Sequence, residues 1–238
     1  MPVAVAAVSL PIVVSLVAIA TRDYHPSGDV ALELLRVGEV GGARTPLTGA
    51  WSRWGWDHPG PLLFWILAPF TWAFAAHGAL IGALAVNSVA LVAAVFVARR
   101  RGDWALVGLV ALVALVLCTA LGPALLSDPW NPQVPVLVFL LFLLLAWSVG
   151  EGDLRMAPLL VATGTFVVQA HVGYALLAGG IGALAAMMAW HSRRRDPAGP
   201  SSGGGFSLLL AAGVGAVLWT PPLLQQLFDD DGNLAALL

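Results

Sequence analysis

The chain has 238 residues, 59% of them hydrophobic and 10% charged, with a mean hydropathy of +0.88 and a formal net charge of -2. Soluble globular domains carry about 25% charged residues, so this composition excludes one and predicts an integral membrane protein. It also excludes a basic nucleic-acid-binding surface and a large disordered region, and a single cysteine, Cys118, excludes a disulfide framework and a thiolate metal site.

From the N-terminus, "MPVAVAAVSLPIVVSLVAIA" reads as a first membrane-spanning helix. A secretory signal would need a positively charged start and an apolar run of about 7–15 residues, and this stretch has neither. A helix needs about 20 apolar residues to cross a ~30 Å hydrocarbon core, where the backbone finds no partner outside itself. On that rule, spans are expected near residues 3–20, 78–98, 104–125, 132–149, 155–171, 172–190 and 206–223. The predicted fold class is therefore all-α, a polytopic bundle of about seven spans forming a single domain over residues 1–238.

Between the first two spans lies the polar part of the chain, with Arg22, Asp23, His25, Asp29, Glu33, Arg36, Glu39, Arg44, Arg53, Asp57 and His58. A mere connector needs few polar residues, so this concentration points to a folded, site-bearing loop. Within it, "GDVALELLRVGEVG" reads as a short helix with Asp29 near its N-cap and Glu33 one turn on, on the same face. Capping accounts for Asp29 as well as catalysis does. "WSRWGWDHPGPLLFW" then sets Asp57 and His58 against a Pro-started apolar helix, where a charged lipid head would meet its tail.

Residues 60–76, "GPLLFWILAPFTWAFAA", leave two readings open, a crossing or an element dipping into one leaflet. The segment is short, holds Pro61 and Pro69, and spreads interfacial aromatics along its length, yet it lacks a polar face. Next, "GALIG" (Gly78 to Gly82) marks close helix packing, and Asn87 and Ser88 read as interhelical hydrogen-bonding residues.

All eleven basic residues are Arg, a usage that suggests a GC-rich bacterial genome. Seven of them lie in the short connections "RRRGD", "GEGDLR" and "HSRRRDPAGPSSGGG", which places these in the cytoplasm, the last as a flexible loop. "SDPWNPQ" then falls on the opposite side, its Asp128 and Asn131 either turn residues or hard oxygen ligands for a bound molecule or a divalent cation. The run from Met156 to Trp190 would be about 50 Å long as one helix, so it must turn, and "QAHVGY" with Gly173 is the place. No phosphate loop, GxSxG, HExxH or paired CxxC occurs.

One span, an acidic loop beginning "SGDVALELLR", then "HPGPLLFWILAPF", then a span ending "ARRRGD": this order resembles the N-terminal half of GT-C membrane glycosyltransferases, especially the bacterial branch with aminoarabinose transferases and Rgt-type enzymes. The resemblance implies residues 21–77 as a first extracytoplasmic loop with an interfacial or re-entrant helix. It also implies a multi-pass protein of the bacterial cell membrane and a longer complete fold. A polyprenyl-phosphate-linked sugar would be the donor, and a cell-envelope glycan or lipid the acceptor. Asp29 would serve as general base with Glu33 as its acidic partner, and Arg53, Arg36 or Arg44 would meet the phosphate. Two positions depart from the family pattern: Gly60 stands where the motif has Pro, and Val30 where many relatives have a second acid. The competing expectation is a non-catalytic membrane protein or a component of a transporter or flippase for lipid-linked sugars.

Overall fold

The computed structural model describes residues 2–122, 124–195, 204–228 and 232–237, with 2–8 as backbone alone. The chain is 76% helix, with no strand among the described residues. The described residues form ten α-helices in order: α1 (Pro2–Thr21), α2 (Gly28–Gly38), α3 (Leu62–Phe74), α4 (Ala76–Arg101), α5 (Trp104–Ala120), α6 (Pro135–Gly150), α7 (Ala157–Ala170), α8 (Ala175–Arg195), α9 (Gly204–Phe228) and α10 (Asn233–Ala236). The expected flexible loop falls mainly on residues 196–203, which lie outside the described residues.

Local chemistry sets the helix ends. Asp103 caps α5 by accepting from the N–H groups of Ala105 and Leu106. Arg99, Arg100 and Arg101 close α4, where cations meet the negative end of the helix dipole. Gly122, at φ +94, helps end the segment after α5, so that helix stops at Ala120 rather than near residue 125. The turn that follows folds back on α4, and Asn87 donates to the carbonyls of Leu125 and Leu126 at 3.3 and 3.1 Å. Asn87 thus bonds a loop, not a neighbouring helix as expected.

α4, α6 and α7 form the centre. α1 and α5 pack on α4, α8 on α6 and α7, and α9 on α7. Leu137, Leu145, Val167 and Val107 are fully enclosed there. α3 folds back on α4 as a tight hairpin around Ala75, and a Cβ on Gly78 would strike the Phe70 carbonyl, so the "GALIG" glycines serve close packing.

Three segments are long and apolar enough to cross a membrane: α4, Val172–Arg195 containing α8, and α9. The other apolar helices are shorter, and α3, with 13 residues, spans roughly 20 Å. Among the described residues the expected seven positions carry helices; three of them reach full crossing length when only residues with described side chains are counted, a count in which α1 enters as Ser9–Thr21. The bundle has two distinct ends. Arg100 meets Asp153 at 3.0 Å, and Arg193 lies beside Gly204 and Leu154, so the three Arg clusters share one end. α2, the loop before α3, Asn131 and His171 gather at the other.

Candidate functional site

The crowded stretch before α3 is a small hairpin. The N–H of Gly49 donates to the His58 carbonyl and that of His58 to the Ala50 carbonyl, both at 2.8 Å, and Ser52 N–H donates to Trp56 at 2.9 Å. Gly55, at φ +86, turns the tip in a conformation that suits glycine. The Thr48 hydroxyl donates to Oδ2 of Asp57 at 2.7 Å and locks the base. The hairpin thereby presents Trp51, Arg53, Trp54 and Trp56 along one wall of a cavity of about 850 Å3.

α2 supplies the facing wall. Its helix turns Glu33 and Val37 inward and leaves Asp29 at the cavity mouth. Ser27 is the N-cap, so Asp29 lies inside the first turn and makes no capping hydrogen bond, contrary to the capping expectation. Glu33 is 4% exposed. Its Oε1 accepts the Asn131 N–H at 3.4 Å, while Oε2 is buried without a partner. Burial pushes the Glu33 carboxyl up to about 8; the Asn131 N–H opposes this, and the negative charges of Asp29 and Asp128 add to it. Glu33 is therefore mostly neutral at pH 7 and fits a hydrogen-bond donor better than a second base. Burial, with the Asp128 and Glu33 charges behind it, also pushes the nearby Tyr24 phenol up to about 12.

The floor comes from the connections after α5 and α7. Asn131, 5% exposed, also donates through Nδ2 to the Ala170 carbonyl at 2.9 Å, tying α2 to the end of α7. His58 accepts the Val172 N–H on Nδ1 at 3.1 Å, and its ring lies 4.5 Å from that of His171, centroid to centroid. Nδ1 of His171 accepts from Gly173 N–H at 3.1 Å. In each neutral ring the proton is thus on Nε2. Burial, followed by the neighbouring His171, lowers His58 to about 4, and burial lowers His171 as well, so both rings are neutral donors at pH 7.

Of the residues singled out in the sequence, Asp29, Glu33, Arg36 and Arg53 line this cavity with Asp57, His58 and Asn131. Arg44 and Asp128 do not. Arg44 is an exposed partner of Glu39 at 3.5 Å, and Asp128 accepts the Trp130 N–H at 3.0 Å, the turn role open to it from sequence. Arg36 is occupied by Glu39 at 2.7 Å. Arg53 rests on Trp54 at 5.1 Å and has no carboxylate partner among the described residues, which leaves it the cation free to meet an anion. Asp57 holds the hairpin. Gly60 abuts the Gln169 side chain, where any Cβ would clash, and this packing accounts for glycine at the position.

His171 and Trp130 line the site without having been singled out for it, and Asn233 clasps the hairpin from outside the cavity. Pattern near "QAHVGY" signalled a turn; nothing local marks Asn233, whose side chain bonds Asp57. Among the described residues no group of three His, Cys, Asp or Glu side chains is arranged to hold a metal ion. The chain matches no family model, no curated protein and no solved structure.

Proposed function

We propose that the chain is the N-terminal part of a bacterial GT-C type glycosyltransferase that moves a sugar from a polyprenyl-phosphate donor to a cell-envelope glycan or lipid acceptor. The observation that supports it most is one cavity in which an unpaired carboxylate (Asp29), a neutral buried carboxyl (Glu33), an unpaired cation (Arg53) and several indole faces converge. Indole faces suit sugar rings, and neutral donors suit hydroxyls.

In this reading Asp29 takes the acceptor hydroxyl's proton as that oxygen attacks the anomeric carbon. The sugar–phosphate bond breaks on the opposite face, inverting configuration, and Arg53 receives the charge gathering on the leaving phosphate. Glu33 and the Nε2 protons of His58 and His171 hold sugar hydroxyls. α1 and α4 to α9 are the seven crossings of the bacterial cell membrane, α3 lies at the outer interface, and the Arg-rich end is cytoplasmic.

The test is transfer of radiolabelled sugar from a polyprenyl-phosphate donor in membranes whose chromosomal copy carries Asp29→Asn. Wild-type turnover that vanishes in the variant supports the reading. Absence of transfer from any such donor in wild-type membranes rejects it.

A further inference from the structure

α8 and α9 both pack on α7 yet leave between them a cleft of about 860 Å3, away from the Asp29 cavity. Of their most apolar windows, 17% of the α8 segment and 22% of α9 are buried, against 44% in α4, so both helices turn most of their surface outward or to the cleft. The cleft exists because its α8 wall has no bulk. Ala178, Gly179, Gly182, Ala183 and Ala186 face it, and a Cβ on Gly179 or Gly182 would meet nothing within 4 Å. Leu160, Val161 and Leu208 make the opposite wall apolar. From Ala178 to Arg194 the slot runs roughly 24 Å along the helix, most of a ~30 Å hydrocarbon core.

Charge marks one mouth. Arg193 and Arg194 line it beside Trp190, Arg194 stacks on that indole at 4.5 Å, and neither has a carboxylate partner among the described residues. A polar solute would leave its own groups unpaired along such a slot. A partner helix would bring apolar surface but no anion to the two guanidinium groups. A long-tailed amphiphile with an anionic head satisfies both, since guanidinium forks bind phosphate oxygens in charge-assisted pairs. We infer that the cleft is a resident site for an anionic glycerophospholipid, with its phosphate on Arg193 and Arg194 and its acyl chains lying along α7. This does not rest on the proposed transferase activity.

The test is native mass spectrometry of the full chain, equilibrated in neutral detergent with equal amounts of phosphatidylglycerol and phosphatidylcholine of the same acyl chains. Wild type retains phosphatidylglycerol over phosphatidylcholine by about ten-fold or more. Gly179→Leu with Gly182→Leu puts bulk into the slot from two positions where a Cβ meets nothing within 4 Å, improves helix propensity, and loses both lipids. Arg193→Gln with Arg194→Gln keeps lipid but equalises the two kinds. Equal retention in wild type, undiminished phosphatidylglycerol in the leucine variant, or a lipid-free dimer in place of the lipid adduct would each overturn the assignment.

Discussion

Asn233 grips the backbone of Asp57 from both sides: its Oδ1 accepts the Asp57 N–H at 2.6 Å and its Nδ2 donates to the Asp57 carbonyl at 2.9 Å. The Asn233 N–H is itself held by Oε1 of Gln225 at 3.0 Å, so α9 and α10 fix the hairpin that carries Arg53. Asn233→Ala removes both side-chain bonds and leaves the Asp57 groups to water. At about 1 kcal/mol per net hydrogen bond, losing the two should open the hairpin roughly thirty-fold more often. Limited trypsinolysis reads this directly, because Arg53 is exposed at the hairpin. Faster cleavage there, with unchanged cleavage in the Arg clusters of the other end, is the expected result; equal rates would show that the clasp contributes nothing.

Glu33 makes the fold sensitive to pH in a defined direction. Its carboxyl titrates near 8 in the folded protein against a usual 4.5, so between those values the folded state holds the extra proton. Stability from this group is complete below pH 4.5 and is lost as pH rises toward 8. His58 acts oppositely, since its pKa falls from 6.5 to about 4 and its contribution is lost as pH falls through that window. The Glu33 effect stands clear of His58 between pH 6.5 and 8. Thermal unfolding there should show a Tm falling with pH in wild type and nearly flat in Glu33→Gln. A Tm that falls equally in both would assign the slope to another group.

Gly60 and Gln169 should behave as a coupled pair. Gly60→Ala drives a methyl into the Gln169 side chain, which is fully buried and anchored to the Leu218 carbonyl at 2.7 Å, so it has little room to yield. Overpacking of this kind costs about 1–3 kcal/mol. Gln169→Ala vacates the space, so the double variant should be more stable than the sum of the two single losses predicts. Additive losses in thermal unfolding would deny the contact.

The two ends of the bundle predict two labelling patterns. With Cys118 replaced by Ala, a cysteine at exposed Arg44 should react with a membrane-impermeant thiol reagent added to intact cells, and one at Arg195 should react only after the cells are opened. Thr48, though in the same loop, is a poor probe because it is buried against Asp57. The reverse pattern would move the Asp29 cavity to the cytoplasm and end the proposed donor chemistry.

Much of this was legible in the sequence where the signal is local. Apolar runs positioned the helices, Gly173 marked the α7–α8 turn, and the density of charge between α1 and α3 singled out most of the residues that share the cavity. What failed was non-local. The length of α5 is cut by a turn that reaches Asn87, and the pairing of α3 with α4 around Ala75 had no local signal to choose between the two readings of residues 60–76. The resemblance made Glu33 a partner acid, and spacing gave its face but not the depth of burial on that face. Asn131 and Asp128 have the same local pattern before Pro, and only the approach of α2 and α7 makes one a buried tie and leaves the other a turn.

Asp29→Asn is the decisive substitution for the proposed chemistry. Asp29 is exposed at the cavity mouth and makes no side-chain hydrogen bond to the described residues, so an amide of the same shape should cost the fold little. The amide cannot take a proton near neutral pH. A general base typically contributes ~10²–10⁴-fold, and the rate of radiolabelled sugar transfer should fall by at least that range while the protein remains in the membrane at wild-type levels. A second readout is independent of turnover: the Asp29 charge helps keep Glu33 protonated, so in the variant Glu33 should titrate lower and the Tm decline between pH 6.5 and 8 should soften. Asp57→Asn is the adjacent control. It loosens the Thr48 contact and should lower stability with a much smaller effect on rate. Transfer preserved in Asp29→Asn but abolished in Asp57→Asn would shift the base to the hairpin; transfer preserved in both would leave the cavity a binding site without this catalysis.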